Sequence, residues 1–132
     1  MYSKKWIYEL IPQPANLQEV EMINKINDII RKNDWMEFEL SNGGMNKLLL
    51  HGFLDEADDD VICIEFKDVD FIQCKTHFTY DGGGDCIEII SDDEAYRLNV
   101  GYSILTGNKI FKISATDIEA PMYIIAKEVN IM

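Results

Sequence analysis

Two histidines, three cysteines and several runs of carboxylates are the residues of this chain with chemistry to offer. Cys63, Cys74, Cys86 and His77 raise the question of zinc, since thiolate and imidazole are its usual ligands. The spacing opposes it. In a regular strand Cys74 and His77 stand three apart and point to opposite faces, and no Cys-x-x-Cys pair is present to anchor a knuckle. Nucleophilic catalysis needs a base beside an activated nucleophile. His51 and His77 are the available bases and Cys63, Cys86 or Ser103 the available nucleophiles, yet no nucleophile elbow surrounds any of them. Carboxylates are so abundant that a pair such as Asp68 and Asp70 does not mark acid–base work. Gly82–Gly84 lacks the pattern of a P-loop or a dinucleotide fingerprint. No catalytic residue, metal site or cofactor is expected.

The acidic runs are Asp55-Glu56-Ala57-Asp58-Asp59-Asp60, Asp81 and Asp85 across three glycines, and Asp92-Asp93-Glu94. A calcium loop needs oxygens converging from set positions, usually around a glycine. Asp58, Asp59 and Asp60 are consecutive, so their side chains diverge, and only weak chelation is expected across Asp81–Asp85. The charge itself says more. The chain carries a net −12, and residues 51–100, with 14 acids against 3 bases, account for −11 of it. Such a field repels nucleic-acid phosphates and anionic membranes and attracts a basic protein surface. Asp55, Glu56, Asp58, Asp59, Asp60, Asp81, Asp85, Asp92, Asp93 and Glu94 are therefore the candidate binding residues.

These residues need elements to hold them. At 132 residues with 47% apolar content the chain suits one domain, residues 1–132, with a core of its own. Val61–Phe66 is apolar on both alternation classes apart from Glu65, which places it inside a sheet. Lys5–Ile11 alternates as a short first strand ended by Pro12 and Pro14. Leu17, Val20, Ile23, Ile26 and Ile30 then recur at helical spacing, with Asn16 and Glu19 as a capping pair. Trp35–Leu40 and Lys47–Leu54 flank an Asn-Gly turn and read as a hairpin. Residues 70–80, Cys86–Ile90, Tyr96–Ile104, Lys109–Ile113 and Met122–Ile131 read as further strands, with Gly107-Asn108 as a second hairpin turn. Trp6, Trp35, Phe71, Phe78, Tyr96 and Tyr102 fall at positions expected in a core, with a ligand-lined cavity the less usual use.

The expected fold is α+β: a β-α start, then an antiparallel meander of about seven strands as a curved sheet or two-layer sandwich with one helix on it. A closed barrel is the alternative topology. Three cysteines in apolar runs suit buried, reduced thiols, and Lys4-Lys5 leads into no apolar signal segment, so a cytoplasmic setting is expected. The leading functional expectation is a non-enzymatic acidic module that binds a basic protein, as an inhibitor or immunity protein does. A small-molecule carrier using a barrel interior is the alternative.

Overall fold

The computed structural model describes residues 15–55, 59–102 and 107–132. Among them are two helices and nine strands in two antiparallel sheets: α1 (Leu17–Arg31), β1 (Met36–Asn42), β2 (Lys47–Phe53), β3 (Ile62–Lys67), β4 (Phe71–Gln73), β5 (His77–Tyr80), β6 (Ile87–Ile90), α2 (Asp93–Tyr102), β7 (Lys109–Ile113), β8 (Met122–Ala126) and β9 (Glu128–Ile131). One sheet has the order β5-β1-β2-β3-β9 and the other β4-β8-β7-β6. The α+β class is as expected. Among the described residues the two sheets do not close into a barrel, the alternative topology. The Lys5–Ile11 strand falls outside the described residues.

α1 begins as its sequence dictates. The Glu19 backbone N–H donates to Asn16 Oδ1 at 2.9 Å, and the Asn16 N–H reaches back to Glu19 Oε1 at 3.4 Å, a reciprocal capping box. Ile23, Ile26 and Ile30 enter the main core beside β6, β3 and β9. Asn27 lies among them, 2% exposed. Its Oδ1 accepts from the N–H groups of Cys86 and Ile87, at 3.0 and 3.1 Å, and its Nδ2 donates to the Ile87 carbonyl at 2.8 Å. β6 is an edge strand, and one amide side chain pairs three backbone groups at the start of its open edge.

The β1–β2 hairpin forms where Asn42-Gly43-Gly44 announced it, with Gly44 at φ +115°. β3 sits inside its sheet, between β2 and β9. Ile62, Ile64 and Phe66 are buried there while Cys63, Glu65 and Lys67 are half-exposed, so one face of this strand is wetter than its composition suggested. Gly52, opposite Ile62, lies on the packed face. A Cβ at that position would stand 2.5 Å from Met36 Cε, 2.8 Å from Ile62 Cγ2 and 2.9 Å from Phe38 Cε1. The inner faces of the two sheets share one core, across which Phe66 and Phe111 meet edge to face at 5.3 Å.

Three expected strands are corrected. Residues 70–80 do not make one strand: β4 pairs with β8 in the four-stranded sheet and β5 with β1 in the other. Met122–Ile131 likewise divides into β8 and β9, which belong to different sheets and bend apart at Lys127. Each chain segment leaves one sheet and enters its neighbour, as at the corners of packed sheets. Tyr96–Ile104 is helical through Tyr102, so the connection at Gly107-Asn108 joins helix to strand and not strand to strand. Asp92 caps α2: its Oδ1 accepts from the N–H groups of Glu94 and Ala95, at 3.1 and 3.3 Å. β8 is buried at every position, and its second face needs cover. Ala95 and Leu98 of α2 supply it against Ile90, Ile110, Tyr123 and Ile125. Tyr96, Val100 and Tyr102, whose alternation suggested a strand, are exposed.

Candidate functional site

The strand register decides where the acidic loops go. Phe53 at the end of β2 is opposite Glu37, Tyr80 at the end of β5 is opposite Met36, and Gly52 is opposite Ile62 at the start of β3. The loop from β2 to β3 and the turn after β5 therefore leave the five-stranded sheet at the same end. Their strands are two to three positions apart, about 10–14 Å at ordinary strand spacing. The run Asp92–Glu94 goes elsewhere. Arg31 at the C-terminal end of α1 pairs with Asp85, whereas Glu19 near its N-terminal end pairs with Lys109, next to Ile110, the partner of Ile90. The run after Ile90 thus emerges toward the opposite end of α1.

The carboxylates are held in different ways. Asp85 forms an ion pair with Arg31, which also pairs with Asp28. Asp81 Oδ1 accepts from the Gly83 N–H at 2.8 Å, fixing the first turn of the glycine loop, while its own N–H donates to Thr116 Oγ1 at 2.9 Å. Glu94 accepts from Lys112 Nζ at 2.7 Å and from the Tyr123 hydroxyl at 2.8 Å. The Lys112 bond holds the Glu94 carboxyl below its usual range, and the same bond raises Lys112. Burial, then the bond to Glu94, pushes the Tyr123 hydroxyl up to about 12. Glu94 is thus a clamp between α2 and the sheet, and Asp92 is a helix cap. Asp59, Asp60 and Asp93 are exposed. Glu56 and Asp58 lie outside the described residues.

Asp60 belongs to a second arrangement. The outer face of the five-stranded sheet carries Ser41 from β1, His51 from β2 and Cys63 from β3, with His51 and Cys63 directly opposite in register. Ser41 Oγ lies 2.8 Å from His51 Nε2, and His51 Nδ1 lies 2.6 Å from Asp60 Oδ2. Cys63 Sγ completes a group with His51 and Asp60 whose ligand atoms all lie within 4.8 Å of one another. Sequence spacing gave no sign of this group, because Asp60 precedes a strand and the others sit on three different ones. Only the alternation of β2 against β3 brings His51 to Cys63, a partnership the sequence allowed without selecting.

Ser41, His51 and Asp60 have the hydroxyl–imidazole–carboxylate order of a hydrolytic triad. Of the backbone around Ser41, the N–H groups of Leu40, Gly43 and Gly44 are spent on Thr76, Lys47 and Asn42, so none of these three serves as an oxyanion donor. Cys63 is no better placed as a nucleophile, since burial, then Asp60 and Glu65, raise its thiol. Burial pushes Cys74 and Cys86 up to about 12. Cys86 is buried as expected, whereas Cys63 and Cys74 are half-buried. His77 stands apart from the cysteines, 3.8 Å from Glu37.

The chain matches no known family, no curated protein and no solved structure in comparisons of sequence and fold. Among the described residues no helix is long and apolar enough to cross a membrane.

Proposed function

We propose that this chain is a non-enzymatic, cytoplasmic protein-binding module that docks a basic protein on the acidic end of its five-stranded sheet, as an inhibitor or immunity protein does. One observation carries the reading: the register sends the 54–61 loop and the 81–85 turn out of the same end, so Asp55, Asp59, Asp60, Asp81 and Asp85 share one side of the molecule. Glu56 and Asp58 belong to the same loop in sequence. Seven of the 14 acids of residues 51–100 belong to these two runs, so the field at this end favours a cationic surface and accelerates encounter. Asp92, Asp93 and Glu94 add only to the distant field.

The test begins with capture from native lysate at low and moderate salt, followed by association kinetics with the captured basic protein. Asp58→Asn with Asp59→Asn removes two charges and leaves Asp60 with His51. The expected result is a slower association rate at low ionic strength and a dissociation rate close to wild type. The difference shrinks as the Debye length falls from about 10 Å at 0.1 M salt toward about 3 Å at 1 M. Equal association rates at both salts would reduce the acidic end to a solubility feature.

A further inference from the structure

We infer that His51, Asp60 and Cys63 form a binding site for a zinc-class divalent cation on the outer face of the five-stranded sheet. The donor set is one imidazole nitrogen, one carboxylate oxygen and one sulfur, the mixed N/O/S set that zinc takes and that calcium and magnesium do not. Bonds of about 2.0–2.3 Å at tetrahedral angles place zinc donors about 3.3–3.7 Å apart. The three donors, all within 4.8 Å of one another, reach that spacing by side-chain adjustment of about an ångström.

The supports are rigid and specific. His51 is in β2, paired on both sides, and Cys63 faces it across the β2–β3 ladder. Asp60 is held at the mouth of that ladder by the bond from the Val61 N–H to the Gly52 carbonyl at 2.7 Å. Ser41 Oγ lies 2.8 Å from His51 Nε2, where it can accept that nitrogen's proton once a cation takes the Nδ1 lone pair. Such an outer partner for the second ring nitrogen is what metal-bound histidines generally have.

Charge and access point the same way. Nδ1 and the Asp60 carboxylate oxygen converge to 2.6 Å, hydrogen-bonding distance, so this pair parts by about an ångström to admit an ion. Glu39, opposite His51, and Glu65, two residues beyond Cys63, add negative charge on the same face. The His51 and Asp60 side chains are 28% and 38% exposed, so an ion reaches them from solvent. Binding replaces the Cys63 S–H bond with a metal–thiolate bond and releases that proton to solvent. Three protein ligands leave the fourth position to water or to a group on another molecule. The site shares Asp60 with the docking surface, but it rests on the convergence of His51, Asp60 and Cys63 and not on the docking reading.

Titration of the intact chain with Co²⁺ as spectroscopic probe, then with Zn²⁺ against a competing chelator, decides the matter. The expected result is one ion per chain, a thiolate-to-cobalt charge-transfer band, intense tetrahedral d–d bands, and a zinc Kd tighter than about 10⁻⁵ M. Cys63→Ser should abolish the charge-transfer band, and Cys74→Ser should keep it. His51→Gln and Asp60→Asn should each weaken zinc at least tenfold, and Ser41→Ala by about tenfold. The two substitutions at His51 and Asp60 decide the question if Cys63→Ser does not fold by circular dichroism. A Kd weaker than about 10⁻⁵ M, a spectrum without a sulfur band, or affinity unchanged by His51→Gln and Asp60→Asn would overturn the assignment.

Discussion

Replacing Asn27 by alanine should cost this protein about 3–4 kcal/mol, more than most core truncations of that size. The side chain is 2% exposed and makes three bonds to the outer edge of β6, to the N–H groups of Cys86 and Ile87 and to the Ile87 carbonyl. Truncation leaves all three backbone groups beneath α1 without partners, at about 1–1.5 kcal/mol each. In urea, with a slope near 2 kcal/mol/M, the midpoint should fall by about 1.5–2 M. Asn27→Leu should be no milder, because an apolar side chain of similar size still leaves the strand edge unsatisfied. Asn27→Asp adds a test of mechanism. The introduced carboxylate accepts from the two N–H groups but faces the Ile87 carbonyl without a donor. Its pKa is then raised in the folded state above the unfolded value of about 3.9. A raised folded pKa means that this variant keeps most stability at low pH and loses it as pH rises, so its deficit against wild type should be larger at pH 7 than near pH 4. A loss below about 1 kcal/mol for Asn27→Ala in equilibrium denaturation would refute the reasoning and show that water satisfies the edge.

Three further outcomes follow from packing and charge. Gly52→Ala should lose about 1–3 kcal/mol in thermal or urea unfolding, because the added methyl overlaps Ile62 and Phe38 as well as the mobile end of Met36. Glu94→Gln should lose about 1–2 kcal/mol at pH 7. The wild-type Glu94 carboxyl is held below its ordinary range by Lys112, so its contribution is present above the unfolded carboxylate pKa and is lost as pH falls through the lowered folded value. The gap between wild type and Glu94→Gln in unfolding free energy should accordingly close on acidification. Cys86 should resist thiol reagents in the native protein and react only on unfolding, while half-buried Cys63 reacts first; early labelling of Cys86 by mass spectrometry would contradict its packing.

The parts of the fold that were legible in the sequence are those whose stabilising contacts are local. Asn16 and Glu19 are three residues apart and cap one another, and Ile23, Ile26 and Ile30 follow the helical period, so α1 can be read directly. Asn42-Gly43-Gly44 sets the β1–β2 turn by backbone preference alone. The apolar run of β3 requires neighbours on both edges, whatever their identity. α2 was misread because the alternation of Tyr96, Leu98, Val100 and Tyr102 satisfies a strand template. The signal that would have found it is Asp92 with Asp93 and Glu94, an N-cap and acidic first turn.

What only the tertiary structure decided is which segments share a sheet, and every candidate site depends on that. A strand carries no local mark of the sheet it will join, so the switches at 74–76 and at Lys127 depend on which apolar face is left to cover. The sequence set the charge of residues 51–100 and the residues that bear it. Register then separated them, sending two acidic runs to one end and turning Asp92 and Glu94 to cap and clamp. His51 meets Cys63, and Ser41 and Asp60 meet His51, because antiparallel pairing places residues far apart in sequence directly opposite one another on one face. Composition supplies such donors, and long-range pairing alone fixes the distances between them.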